Sequence, residues 1–91
     1  MGKFYYPTTE NIEISTYSNN KYMIRYFQDK LVVAMMTGNS MSDLIKNVKT
    51  EIINRENRLK TIPFIDSLRY EKGIKLHKKM LDKLKQYKGG D

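Results

Sequence analysis

An α+β fold, a three-stranded antiparallel β-meander followed by two α-helices (βββαα), follows from three features of this 91-residue chain. Residues 11–36 alternate apolar and polar side chains with period two, as half-buried strands do. From Ser40 onward the apolar residues recur every three or four positions, the period of a helix packed on one side. Thr61-Ile62-Pro63 then interrupts that second pattern, because the residue before a proline avoids the helical region and proline suits the start of a new helix. A chain this short makes one small domain and buries roughly 60–65% of its unfolded surface.

In the first strand Ile12 and Ile14 share a face, with Asn11, Glu13 and Ser15 on the other. Tyr22, Ile24 and Tyr26 repeat the pattern opposite Met23, Arg25 and Phe27. Leu31 to Met36 is apolar on both faces, which predicts a strand covered on both sides or lying in mid-sheet. Ser18-Asn19-Asn20 and Gln28-Asp29-Lys30 separate these runs. Asn and Asp tolerate left-handed backbone, so both segments read as hairpin turns. Residues 3–6 would add a short strand or a tail over the sheet.

Ser40 and Asp43 form the signature of a capping box, with the hydroxyl taking an orphan helix N–H and the carboxylate reaching back. Leu44, Ile45, Val48, Ile52 and Leu59 then mark the buried side of a helix over 41–60, with Lys46, Lys49, Asn54 and Arg58 facing out. A second helix is predicted over 63–88, ending at Gly89-Gly90. Its apolar stripe reads as Ile65, Leu68, Leu76, Met80, Leu84 and Tyr87, and Gly73 in mid-span marks a place for a kink or break. At 1.5 Å per residue, 25 helical residues span roughly 38 Å. A domain of this size has a diameter near ~30 Å. A continuous second helix therefore overhangs its domain and needs a surface to pack on. That surface is a second copy of the chain, in a homodimer through residues 63–88, or another macromolecule.

Composition narrows the chemistry. There is no cysteine, so disulfides, thiolate catalysis and Cys-based zinc sites are excluded, and a reducing, cytoplasmic setting is the natural expectation. The N-terminal residues lack the apolar stretch of a signal peptide, and the longest apolar run, Leu31 to Met36, is far short of a membrane span. HExxH, GxSxG, Walker and GxGxxG motifs are missing, and the ten carboxylates do not cluster as hard-metal ligands would. No cofactor and no metal are expected. The single histidine, His77, sits among Lys75, Lys78 and Lys79 and reads as a surface residue of a basic helix. A metal-independent ribonuclease, built on residues such as Arg25, Tyr22, Tyr26, Lys46 and Lys49, is the one catalytic reading left. Nothing in the spacing fixes a nucleophile beside a base.

The net charge of +7 is uneven, with eight Lys/Arg against four Asp/Glu in residues 61–91 alone. The candidate binding surface is accordingly Arg69, Lys72, Lys75, Lys78, Lys79, Lys83, Lys85, Tyr87 and Lys88. Its lysines would neutralise a nucleic-acid phosphate backbone, and lysine in place of arginine suits phosphate contact better than base reading. Against this stands the plainer reading of a solvated helix face, for which Lys is simply a good helix former. The same helix lacks the Trp of a membrane-surface helix, and its apolar residues are needed for packing, so no membrane partner is expected. Tyr22 and Tyr26 beside Arg25 suggest base stacking, yet aromatics at period two are ordinary residues of a half-buried sheet. Heavy use of Lys, Asn, Ile and Tyr matches the AT-rich coding of low-GC bacteria and their phages.

From Tyr22 to Ile52 the chain resembles the N-terminal module of HicB-type antitoxins. Tyr22-Met23-Ile24-Arg25-Tyr26-Phe27-Gln28-Asp29 is similar to that family's strand ending in an aromatic before Pro-Asp, with Gln28 in place of the proline. Gly38-Asn39-Ser40-Met41-Ser42-Asp43-Leu44-Ile45-Lys46-Asn47 is similar to its entry into the first helix. The family's Pro-Gly-Cys turn and its C-terminal DNA-binding motif are missing. The resemblance implies a small sheet with a packed helix that binds a short RNase toxin and occludes its active site. The function expected from the sequence is that of a non-enzymatic regulator docking on a host or cognate protein, antitoxin-like or a phage-type inhibitor. The alternative is sequence-tolerant nucleic-acid binding by the C-terminal lysines.

Overall fold

The computed structural model describes residues 9–87, with β1 at Glu10–Ser18, β2 at Lys21–Gln28, β3 at Leu31–Gly38, α1 at Met41–Leu59 and α2 at Phe64–Gln86. The expected βββαα order holds, and the strands form one antiparallel sheet in the order β1-β2-β3. The strand anticipated over residues 3–6 lies outside the described residues.

Two turns set the register. Asn19 and Asn20 have φ of 21° and 67°, and Asp29 and Lys30 have φ of 51° and 75°. Positive φ at both central residues is the type I′ pattern, whose twist matches that of the flanking strands. Asp29 is held further by Thr9, whose N–H donates to Asp29 Oδ1 at 2.9 Å while the Asp29 N–H donates to Thr9 O at 3.1 Å. Pairing of Ile14 with Ile24 and Ile24 with Met36 puts these three on one face. Tyr26, flanked by Ile12 and Ala34, joins the same face.

β3 departs from the sequence expectation. It is an edge strand rather than a central one, and only one of its faces is covered. Both helices follow the meander and pack on the same side, so Val32, Val33 and Met35 remain 49%, 44% and 56% exposed. A bulge between the Tyr26–Ala34 and Phe27–Val32 pairs leaves Val33 as the extra residue. Such a kink bends and twists an edge, which discourages another strand from adding to it.

α1 begins where the capping signature places it. The Asp43 N–H donates to Ser40 Oγ at 3.0 Å, while the Asp43 carboxylate accepts the N–H of Asn39 at 2.9 Å, one residue further back than in the standard box. Leu44, Val48 and Ile52 are buried, and Ile45 and Leu59 pack half-buried against them. Asn47 ties the helix to β3 by donating from Nδ2 to Thr37 O at 2.9 Å.

α2 runs unbroken through Gly73. Gly73 faces the side chain of Arg55 from α1, whose guanidinium a β-carbon there would meet. The buried stripe of α2 is Ser67, Ile74, His77, Met80 and Leu84. Ile65 and Leu68, expected on it, are 82% and 59% exposed. The reason is the overhang. Lys79 and Tyr87 touch the sheet, so the C-terminal half of α2 lies over it. The 23 residues of α2 span about 35 Å and a strand of eight about 26 Å, so the first turns run past the sheet. The described residues extend over 46 × 30 × 20 Å.

Candidate functional site

The overhanging end of the α1–α2 hairpin brings exposed apolar side chains and three arginines close together. At its tip Phe64 is 83% exposed beside Ile65, and Leu68 follows one turn later. Ser67 takes the inward position, donating from Oγ to Phe64 O at 2.6 Å. A polar residue so occupies the buried side while three large apolar ones face outward, the reverse of a helix folded only for its own core.

On one side of the same overhang lies a groove between the helices, lined by Glu51, Asn54, Arg55, Asn57, Arg58 and Thr61 from α1 and the turn, and by Arg69 and Tyr70 from α2. Arg55 is anchored by Glu51, Nε to Oε2 at 2.8 Å. The guanidinium groups of Arg58 and Arg69 have no hydrogen bond or ion pair among the described residues. A smaller recess shares Glu51 and Arg55 with the groove and continues it to Val33–Met36 of β3, Gly73 and His77.

His77 corrects a sequence expectation, being only 5% exposed. Its Nδ1 lies 2.7 Å from Gly73 O. A carbonyl oxygen only accepts, so Nδ1 carries the proton and fixes the tautomer. The reversal comes from the stripe shift, which turns residues 67, 74 and 77 inward beside the expected Met80 and Leu84.

The lysines anticipated as a single patch fall on separate rows. Lys72, Lys75, Lys79 and Lys83 follow one another at helical spacing, and Lys78 and Lys85 lie on another side. Lys78 pairs with Glu56 at 3.4 Å and Lys79 with Glu10 at 3.3 Å. Lys72, Lys75, Lys83 and Lys85 are exposed with no such partner among the described residues. Lys88 lies outside them. Tyr87 is no free contact: it is half-buried and meets the Tyr22 ring edge-on, with centroids 6.4 Å apart. Tyr22 and Tyr26 belong to the core, so their faces are not offered to bases. Nor do the residues weighed for a ribonuclease converge. Arg25 lies on the opposite sheet face from the two tyrosines, paired with Glu13 at 3.0 Å and stacked 5.2 Å from the Phe27 ring centroid, while Lys46 and Lys49 are exposed on α1.

One polar cluster, built on the buried Tyr26 and the exposed Glu10 and Lys79, joins α2 to the sheet. Tyr26 donates from Oη to Glu10 Oε1 at 2.8 Å, and Lys79 Nζ donates to the same oxygen at 3.3 Å and to Tyr26 Oη at 3.4 Å. The Tyr26 hydrogen bond, with help from Lys79 and Gln28, holds the Glu10 carboxyl below its ordinary 4.5. Burial and the Glu10 hydrogen bond push the Tyr26 phenol above 10.0, and Tyr26 and Glu10 raise Lys79 above 10.5. The lowered acid contributes stability that is present above its unfolded pKa and lost as pH falls through the folded one. The two raised groups contribute stability present below their unfolded values and lost as pH climbs. Urea midpoints should therefore drop below about pH 4.5 and again above about pH 10. Tyr26→Phe should flatten both limbs; unchanged limbs would show that the cluster does not couple α2 to β1.

Among the described residues no group of three or more His, Cys, Asp or Glu is placed to hold a metal ion, and no helix is long and apolar enough to cross a membrane. The fold and these surfaces define a small α+β protein with exposed apolar side chains both on the open side of the sheet and on the helical overhang, and with three of its four arginines at one groove of the helical hairpin. No protein-family profile, curated protein or solved structure matches the chain.

Proposed function

We propose that this chain is a small non-enzymatic regulator, antitoxin-like or a phage-type inhibitor, that docks on a partner protein through the tip of its helical overhang. The observation that carries this is the exposure of Phe64 and Ile65, 83% and 82%, on the first turn of a helix that has outrun its own sheet. Fully burying a Phe or Ile side chain is worth about 1.5–3 kcal/mol each, so leaving both in water forgoes stabilisation that a partner's cleft would recover. With Leu68 they give the i, i+1, i+4 spacing by which a helix enters an apolar groove. The net charge of +7 favours a groove with an acidic rim. The likeness of residues 22–52 to the HicB-type module points the same way, and a cytoplasmic setting goes with it.

The test is site-specific photo-crosslinking in the native host, with p-benzoylphenylalanine in place of Phe64 and, as control, of the exposed Lys46 on the first turns of α1. One discrete adduct with a different protein at position 64, missing at position 46, is the expected result. The reading fails if position 64 gives no adduct. It also fails if the adduct is a second copy of the chain, or if the purified protein sediments as a dimer that Ile65→Ser dissociates.

A further inference from the structure

We infer that the arginine groove of the overhang binds a single nucleic-acid strand by its phosphates, a site separate from the docking tip and independent of it. Three of the chain's four arginines lie between positions 55 and 69, and the hairpin brings all three to one groove. Against three guanidinium groups the groove offers one carboxylate, Glu51, already engaged by Arg55. The lining therefore holds a surplus of two positive charges (three less one), which Arg58 and Arg69 present without a partner among the described residues. Like charges gathered between low-dielectric walls focus the field and favour an anion entering between them.

The type of cation narrows the anion. A guanidinium is a planar fork that grips two oxygens of one phosphate at once, and it stays charged at any working pH. Asn54 and Asn57 add neutral donors along the lining, and half-buried Tyr70 adds a ring on which a base can stack. A base stacks on Tyr70 only when it is free of a duplex, so a single strand suits this lining better than a double one. The recess beside β3 shares Glu51 and Arg55 with the groove, so the two together offer a lining longer than one phosphate needs. None of the α2 lysines lines the groove, and although Lys72 stands one turn from Arg69, they supply a general attraction rather than a second site.

The experiment uses the full chain and a fluorescein-labelled twelve-nucleotide oligo-uridylate, read by fluorescence anisotropy between 50 and 200 mM salt. The Arg58→Ala/Arg69→Ala double variant should lose at least about tenfold in affinity and lower the salt slope by roughly 1.4, the value for two single-strand phosphate contacts. Lys75→Ala/Lys83→Ala removes the same charge from the lysine row and should lose less than about threefold. All four residues are exposed, so far-UV CD melting should show every variant folded. Four outcomes overturn the inference. They are no binding of the oligonucleotide at 50 mM salt, equal losses from the two double variants, a strand that binds no tighter than adenosine monophosphate, and an acidic peptide that displaces the strand at equal concentration.

Discussion

Met80→Ala lowers the unfolding free energy by about 3 kcal/mol, within the usual range for truncating a fully buried side chain. Met80 is 0% exposed and belongs to the cluster that joins Ile24 and Tyr26 of the sheet to Leu44 and Val48 of α1. Its thioether fills the space where three elements meet, and alanine leaves a void that neither the sheet nor a straight helix can close. With a urea dependence near ~1 kcal/mol per molar for so small a protein, the midpoint should fall by roughly 2–3 M. Ile65→Ala is the matched comparison, on the same helix and on the stripe that periodicity assigned to Met80. At 82% exposure it should shift stability by less than about 0.5 kcal/mol. Similar losses at the two positions would mean that the first turns of α2 lie against the core after all.

That contrast shows where periodicity stops being informative. The alternation over 11–36 specified strand faces, and Asn19-Asn20 and Asp29-Lys30 specified the turns, because both depend on neighbours in sequence. The Ser40 cap was legible for the same reason. The stripe of α2 was not. Ile65, Leu68, Leu76, Met80, Leu84 and Tyr87 fit helical spacing, but so does a row that shares Met80 and Leu84 and runs through Ser67, Ile74 and His77, and only the sheet's position decides between them. Hydrophobicity favoured the first row. The second is buried because the sheet ends under the middle of α2 and Arg55 occupies the space beside Gly73. For β3, two apolar faces suggested two covers, yet both helices follow the meander and settle on one side. The arginine groove had a sequence signal: three arginines flank the helix break, and any tight hairpin brings them together. The lysines, being more numerous, outweigh them in a count of charge, and of the groove's arginines only Arg69 falls within the surface expected from that count.

Gly38→Ala should cost about 2–3 kcal/mol although it adds a single carbon. A β-carbon at that position stands 2.6 Å from Leu44 Cα and 2.9 Å from Leu44 Cβ, with the Leu44 backbone nitrogen nearer still. The obstacle is main chain on the first turn of α1, and that turn is held from three directions. Leu44 N–H donates to Ser40 O at 2.9 Å, Asn39 N–H to the Asp43 carboxylate at 2.9 Å, and Asn47 to Thr37 O at 2.9 Å. Withdrawing the helix to admit the methyl group would stretch these bonds and pull Leu44, 0% exposed, from the core. Gly73→Ala looks similar on geometry and should behave differently. There the neighbour is the end of the Arg55 side chain, which can swing aside, and alanine gains about 1 kcal/mol over glycine inside a helix. The two effects oppose each other, so the net change should lie within about 1 kcal/mol of zero. Urea denaturation of both variants reads the difference directly. A large loss at Gly73 would mean that Arg55 is fixed where it stands, and a small one at Gly38 that α1 does not approach β3 so closely.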